Sequence, residues 1–432
     1  MGITDNLKKD NNCASYSHFD YKVSLSSIEK YVKNPEAISH HSFKPFIHFE
    51  KKMIKFCSSN KEKMQKIREI YNCSHFDRCI YQYYSKTIND KYNEKAKEYK
   101  INNVAIAYRN NLGKSNIHFA KQAFCFIKNS FPCIVFVGDF TDFFDTLDHK
   151  YLKNKLCELL NVHKLPLDYY QVFKSLTKYS YVEKEKVEKV RTLIEYKDKK
   201  LLLPMSELRK HKELIKFNNK DYGIPQGVSI SAILSNVYMM DFDKNCNSLA
   251  KKFNGMYLRY CDDFILIFPN KEIIDANYLY NLIIQNVNNI PKLNLSKKKT
   301  RIYYCEKEIV KSCEKEIGNE CNSKNSIDYL GFTYDGKKIS IRDKTIGKYY
   351  YRMYKKIKTI NQQRKNRKPG GGTRNLYLRY SSKGDNPSEE SRNFLSYVCR
   401  CKKIFGPNEN VHRPLNVHYG KIKKRLMLKV GE

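Results

Sequence analysis

The chain has 432 residues, 41% of them hydrophobic, with 81 Lys and Arg against 45 Asp and Glu and a formal charge of +36. That length suits one large multi-lobed enzyme or two to three domains, and the apolar share can bury a sizeable core. No run of about eighteen apolar residues occurs and the polar N-terminus lacks an apolar signal core, so a cytoplasmic protein without a membrane partner is expected.

The positive excess is spread along the chain, which favours a polyanion partner, nucleic acid or an anionic membrane surface. The 34 Tyr and 23 Phe supply either core or base-stacking surfaces. The 14 cysteines are scattered, with no CxxC pair, and read as reduced thiols rather than a disulfide framework or zinc site.

Taken in order, residues 24–102 read as mainly helical and basic, with Ile67, Ile70 and Tyr71, then Ile80, Tyr83 and Tyr84, at helical intervals. A short apolar stretch at 104–108 leads to a turn at Gly113 and a helix over 118–128. Residues 132–137 are β-formers suited to a buried strand that ends at Gly138-Asp139. Residues 151–181 read as helical, with Leu152, Leu156, Leu159 and Leu160 on one side. The charged stretch 183–220 reads as a peripheral connection around Leu201–Leu203. A turn at 223–227 precedes a helix running to about Cys246.

Residues 256–268 form a hairpin whose two apolar strands flank Cys261-Asp262-Asp263. A helix over 277–288, a Lys-rich loop and a short segment at 301–304 follow. Tyr329-Leu-Gly-Phe332 begins a second small hairpin with Gly336 at its turn. From Asp343 the chain is basic and helical, broken at 368–373 and in the polar stretch 381–390.

Two acids at the tip of an apolar hairpin raise one another's pKa unless positive charge lies between them. A hard divalent cation with oxygen ligands resolves that conflict, and Mg²⁺ suits it. Asp139 ends a separate apolar strand and, beside the hairpin, completes a three-carboxylate cluster able to hold two ions for in-line nucleotidyl transfer. Alone, an Asp-Asp pair reads equally as a hairpin turn.

The neighbouring segments decide between these. Asp139-Phe-Thr-Asp-Phe-Phe144-Asp-Thr-Leu-Asp-His149 resembles the first catalytic palm motif of reverse transcriptases of the prokaryotic kind. Gly223-Ile-Pro-Gln-Gly227, running on to Ser231 and Leu234-Ser-Asn236, resembles their template- and nucleotide-positioning motif. Tyr260-Cys-Asp-Asp263 is similar to their hallmark hairpin, residues 295–300 to the lysine-bearing loop, and Tyr329-Leu-Gly-Phe332 to the primer grip. These motifs stand in family order, and the likeness covers about residues 67–341.

The resemblance implies an α+β right-hand polymerase. Its fingers would occupy 1–132, its palm 133–342 with an insertion at about 183–222, and its basic helical thumb 343–432. Asp139, Asp262 and Asp263 would be catalytic and bind two Mg²⁺ ions. Phe140, Phe144, Gln226, Arg68, Arg109 and Lys299 would face the nucleotide: Phe144 as a steric gate favouring deoxynucleotides, the arginines as phosphate clamps, and Lys299, among Lys297 and Lys298, at the leaving pyrophosphate. Pro225, Gly227, Tyr260, Leu330, Gly331 and Phe332, with Lys348, Arg352 and Lys355 of the thumb, would hold template and primer. The lysines and arginines at 348–358 alternate with Tyr349, Tyr350, Tyr351 and Tyr354, a composition suited to a phosphate backbone passing aromatic faces.

Asp77-Arg78, Tyr81-x-Tyr-Tyr84, Ala107-Tyr-Arg109 and Gly113-Lys-Ser-Asn116 resemble the fingers of the defence-associated reverse transcriptases of bacteria, which act against phage. A structured non-coding RNA template, dNTPs and a cDNA product are then the implied partners. Retron enzymes carry a Val-Thr-Gly triplet and an Asn-Ala-x-x-His segment that this chain lacks, and group II intron proteins add regions for which the C-terminal part is too short. A retron or group II intron-type reverse transcriptase, protein-primed or template-independent synthesis, an RNA-binding scaffold and an RNA replicase are the alternatives. Oligomeric state is not legible.

Overall fold

The structure is a computed structural model and describes residues 16–56, 63–269, 275–313, 324–366, 372–382 and 393–427. Among these, the strands in chain order are β1 (Phe46–Phe56), β2 (Lys63–Asn72), β3 (Cys133–Asp139), β4 (Ser180–Glu183), β5 (Lys216–Phe217), β6 (Met256–Tyr260), β7 (Asp263–Pro269), β8 (Arg301–Glu306), β9 (Ile309–Ser312), β10 (Ile327–Tyr329), β11 (Phe332–Tyr334) and β12 (Ile339–Ile341). The chain divides into two units, each assembled from separate segments. The first comprises Met1–Leu112, Phe140–Asn245 and Ile284–Leu295; the second comprises Gly113–Asp139, Cys246–Ile283 and Ser296–Glu432.

The first unit holds a four-stranded sheet of order β2-β1-β4-β5. Its long hairpin corrects the helical reading of residues 63–72: β2 pairs antiparallel with β1 from Ile47↔Asn72 to Phe56↔Lys63. Ile67, Ile70 and Tyr71 fit a helical interval by coincidence, and β-branched and aromatic residues serve a pleated strand equally well. The helix His75–Glu98 follows as expected, capped by the Ser74 hydroxyl, which accepts from the Asp77 N–H. It buries Cys79, Ile80, Tyr84, Ile88 and Tyr92 and packs against the helix Ser229–Tyr238.

Residues 151–181 form two helices rather than one. His149–Leu160 ends at Asn161 in left-handed conformation, and Leu167–Thr177 restarts after Pro166, which cannot continue a helix; β4 then follows. The stretch 183–220 is not a loose connection. It contains the helices Lys184–Leu193 and Met205–Lys210, and Val187, Leu202, Leu203 and Leu208 close a core with Phe19, Ile47 and Val182.

The second unit is built on an antiparallel sheet of order β6-β7-β3-β8-β9. β3 and β7 are almost entirely buried, which explains their unbroken apolar composition. Gly138 faces Phe264 across the β3–β7 ladder. A Cβ at Gly138 would lie 2.4 Å from the ring carbon Cζ of Phe264, so the ring occupies the space a side chain would take.

A three-stranded sheet β10-β11-β12 replaces the single small hairpin expected around Gly336. The additional turn is Leu330-Gly331, both with positive φ (49° and 92°). Beyond it, the helix Asp343–Lys365 buries Tyr349, Tyr350, Met353, Ile357 and Ile360 against Leu376, Leu395 and Ile422. The expected breaks at 368–373 and 381–390 fall mostly outside the described residues, as does most of the polar N-terminus. Among the described residues no helix is long and apolar enough to cross a membrane, and the cysteines form no disulfide.

Candidate active site

Strand register brings the acids of the second unit together. Asp139, the last residue of β3, pairs directly with Asp263, the first of β7. Tyr260 pairs with Asp263 across β6 and β7, so Cys261-Asp262 is a two-residue turn. Cys261 takes a left-handed φ of 62°, the conformation such tight hairpin turns demand. The guanidinium of Arg259, fully buried, donates through Nη1 to the Cys261 carbonyl at 2.9 Å and pins the turn. The Asp139 carbonyl accepts from the Ser296 N–H at 2.8 Å, which draws the Lys-rich loop to the strand end. From there the Lys299 ammonium makes a close ion pair with the Asp139 carboxylate.

The electrostatics are those of crowded, partly desolvated acids. Burial first, then the charge of Asp139, raises the Asp262 carboxyl above its ordinary range. Burial, then Asp262 and Asp139, pushes Asp263 up to about 7, with Lys299 opposing. Among the described residues no three His, Cys, Asp or Glu side chains are already gathered closely enough to hold a metal ion. What the register builds is the pair Asp139 and Asp263 with Asp262 beside it in the turn. That donor set still fits Mg²⁺, a hard cation commonly held by one or two carboxylates together with water and substrate phosphates rather than by a protein cage.

The first unit carries the residues expected at the nucleotide. Phe144 is half-buried and packs edge-on against Phe143, while its carbonyl accepts from the Ile224 N–H at 2.9 Å. Pro225 is buried and Gln226 half-buried. Gly227 has φ 111° and passes so close to Tyr71 that a Cβ would lie 2.9 Å from its carbonyl oxygen. Arg68 is exposed on β2 opposite Lys51. Phe140 and Arg109 differ from expectation. The Phe140 ring is buried against Phe143 and Phe242, so its side chain belongs to the core. The Arg109 guanidinium donates to the Asn93 side chain at 2.8 Å, to the Asn102 side chain at 2.6 Å and to the Asn102 and Ala105 carbonyls. It ties a loop down instead of reaching outward.

A family model described as reverse transcriptase (RNA-dependent DNA polymerase) matches residues 59–334, well over half of the chain. The chain belongs to the reverse transcriptase family. With that membership come the nucleotidyltransferase class and the fold of helices and sheets described above, antiparallel except where β1 pairs with β4. No curated protein matches significantly. Solved structures similar to it include apo telomerase from Candida tropicalis (14% identity, 93% of this chain and 63% of that chain, TM-score 0.43). Two others are telomerase from Candida albicans in complex with a TWJ fragment of telomeric RNA (15%, 92% and 58%, TM-score 0.40) and apo telomerase from Candida tropicalis truncated from its C-terminal domain (14%, 73% and 59%, TM-score 0.38). This reverse transcriptase spans about three fifths of the length of those chains.

Of the residues that the family resemblance assigns to template and primer, Tyr260 is half-buried at the hairpin. Leu330 and Gly331 form the β10–β11 turn, and the Leu330 carbonyl accepts from Asn116 Nδ2 at 3.2 Å. Phe332 is fully buried against Tyr397 and Phe405, so its ring supports that turn from beneath. Lys348, Arg352 and Lys355 are all exposed at helical spacing on one face of Asp343–Lys365. Tyr349 and Tyr350 point the other way into the core, leaving Tyr351, 67% exposed, as the aromatic beside them. Two residues escaped the sequence reading. Arg259, a charge inside an apolar strand, was the available signal for a buried pin. His149, which donates from Nε2 to the Gly223 carbonyl at 2.7 Å, was visible only as the end of a motif.

Proposed function

We propose that this reverse transcriptase copies a structured non-coding RNA into cDNA in the cytoplasm of a bacterium, as part of defence against phage. The observation that carries the polymerase chemistry is the direct pairing of Asp139 with Asp263, with Asp262 in the adjoining turn. In this reading the five-stranded sheet is the palm, the β1–β2 hairpin belongs to the fingers and the helices after Asp343 form the thumb. The defence role is supported by the likeness of segments 77–84 and 107–116 to the fingers of the bacterial defence enzymes.

Asp139, Asp262 and Asp263 would hold Mg²⁺, whose chemistry when bound is to activate the primer 3′-hydroxyl and to steady the leaving pyrophosphate. The remaining work falls to positioning and charge. Lys299 balances the acid pair and supplies a cation for the departing phosphates. Phe144 excludes a ribose 2′-hydroxyl by contact. Gln226, on a rigid Gly-Ile-Pro-Gln-Gly turn, lies beside the nascent base pair, and Arg68 offers a fork to phosphate oxygens. Lys348, Arg352 and Lys355 track the backbone of the template–primer duplex.

The test is to purify the protein from its host and sequence the RNA bound to it and the DNA it makes. A single RNA species recovered with complementary DNA supports the reading. DNA unrelated to any bound RNA overturns the templated reading, and DNA joined covalently to the protein supports protein-primed synthesis. If Asp262→Ala with Asp263→Ala leaves phage protection intact, the protein is a scaffold rather than a polymerase.

A further inference from the structure

The turn 223–227 is latched to the backbone of its own unit at both ends. The Gly223 N–H donates to the Leu147 carbonyl at 2.8 Å and the Ile224 N–H to that of Phe144 at 2.9 Å. His149 donates twice, from Nε2 to the Gly223 carbonyl and from its backbone N–H to the Asp221 carbonyl. At the far end the Tyr71 N–H donates to the Gln226 carbonyl at 2.9 Å. A Cβ at Gly223 (φ 86°) would lie 2.9 Å from the Asp145 carbonyl oxygen, so the loop 142–149 is packed onto the turn without room for a side chain. With the backbone held, the freedom left at Gln226 is in its side-chain amide, which can present either oxygen or NH₂ in a given direction.

Asp145 decides between the two. Its Oδ2 lies 3.2 Å from Gln226 Nε2, and an ionised carboxylate accepts but never donates. The NH₂ group must therefore turn toward Asp145 and Oε1 away from it. We infer that Asp145 is a positioning residue that imposes one orientation on the Gln226 amide and through it sets the discrimination between matched and mismatched nucleotides. The inference rests on the proposed place of Gln226 beside the nascent base pair.

The surroundings of Asp145 make the device titratable in an accessible range. Asp145 is exposed, yet partial loss of water where the loop packs on the turn, then Asp142 and Glu69, push its carboxyl up to about 6, against Lys220 and the Gln226 hydrogen bond. The hydroxyls of Tyr71 and Tyr179 also face it. Above that pH Asp145 only accepts. Below it the protonated carboxyl can also donate, to Oε1, and both amide orientations become available.

The experiment is single-nucleotide incorporation by the full chain on an oligo(rU) template with a DNA primer, comparing dATP with dTTP, a mismatch with no base titrating in this range, from about pH 8 to about pH 5.5. For the wild type the ratio of kcat/KM values is expected to fall as pH drops through 6. For Asp145→Asn, isosteric but able to donate and accept, the ratio is expected to be about fivefold lower at pH 8, the factor that one ordinary hydrogen bond gives. It should also be flat with pH, with the KM for dATP rising more than kcat falls. The double variant Asp145→Asn, Gln226→Glu again pairs one donor with one acceptor-only group and leaves an oxygen facing outward. It should discriminate better than either single variant, a recovery that lost fold stability would not produce. Wild-type discrimination and pH dependence in Asp145→Asn, or no recovery in the double variant, would overturn the inference alone. Absence of templated incorporation by the wild type would overturn the polymerase reading and the inference with it.

Discussion

Replacing Asp263 by Asn should stabilise the protein while abolishing its activity. Asp263 sits opposite Asp139 and next to Asp262, and burial together with these charges lifts its carboxyl from an ordinary 3.8 to about 7. A rise of that size corresponds to about 4 kcal/mol at about 1.4 kcal/mol per pH unit. Because the titration is shared with the neighbouring acids, the working figure for Asp263 alone is about 2 kcal/mol. The sign follows from linkage. A group whose folded-state pKa is raised favours the folded state fully below its unfolded pKa, near 4. It loses that contribution progressively as pH rises to 7. Asn keeps the shape without the charge. In EDTA, the melting temperature of Asp263→Asn should exceed that of the wild type by several degrees at pH 8, taking roughly 2–4 °C per kcal/mol for a domain of this order of size. The gap should narrow toward pH 5 and approach zero near pH 4. Millimolar Mg²⁺ should raise the wild type and not the variant. Scanning calorimetry reads all three effects. A variant less stable than wild type at pH 8 in EDTA, or a gap that does not change with pH, would refute the reasoning.

Phe144→Ala should raise incorporation of ribonucleotides relative to deoxynucleotides at least about tenfold in a primer-extension assay, since loss of a steric contact of this size changes selectivity by that order. Gly138→Ala forces a Cβ into the Phe264 ring at 2.4 Å and should cost about 1–3 kcal/mol as overpacking, read as a lower denaturation midpoint. Arg109→Ala removes a guanidinium engaged with Asn93, Asn102 and Ala105. It should lower stability by about 2 kcal/mol with little change in the KM for dNTPs; a large rise in KM at unchanged stability would restore the clamp reading. Removing Lys348, Arg352 and Lys355 together should weaken template–primer binding uniformly across sequences and reduce its salt slope by about one per cation, measurable by fluorescence anisotropy at several salt concentrations.

The elements nearest the chemistry were the most legible. β3 and the β6–β7 hairpin are dense in β-formers and end at conspicuous acids, so composition alone located them. Which residues face one another was not legible, because a strand pattern is indifferent to its partner: nothing in the spacing puts Asp139 across from Asp263, or Gly138 across from Phe264. The β1–β2 hairpin was misread because Ile67, Ile70 and Tyr71 satisfy a helical interval and only cross-strand hydrogen bonding removes the ambiguity. Aromatic identity does not reveal orientation either. Phe140 and Phe332 turn into the core while Tyr351 turns out. Among three consecutive lysines, geometry brings Lys299 onto Asp139. Arg109 looked like a ligand clamp because Arg residues that bind phosphate and those that tie down loops present the same letter.

The Gly138–Phe264 contact has a bearing on how this enzyme can change over time. Side chains alternate across a strand, so inserting or deleting one residue within β3 or β7 would send the carboxylate at its end to the opposite face of the sheet. Exchanges among Val, Ile and Leu along the same strands leave that alternation intact. A lineage is thus free to redraft the interior of these strands letter by letter but not to lengthen or shorten them. The ring resting on Gly138 marks where the two counts are zeroed against each other. Insertion scanning of 133–139 and 263–269 should find these strands far less tolerant of added residues than of substituted ones.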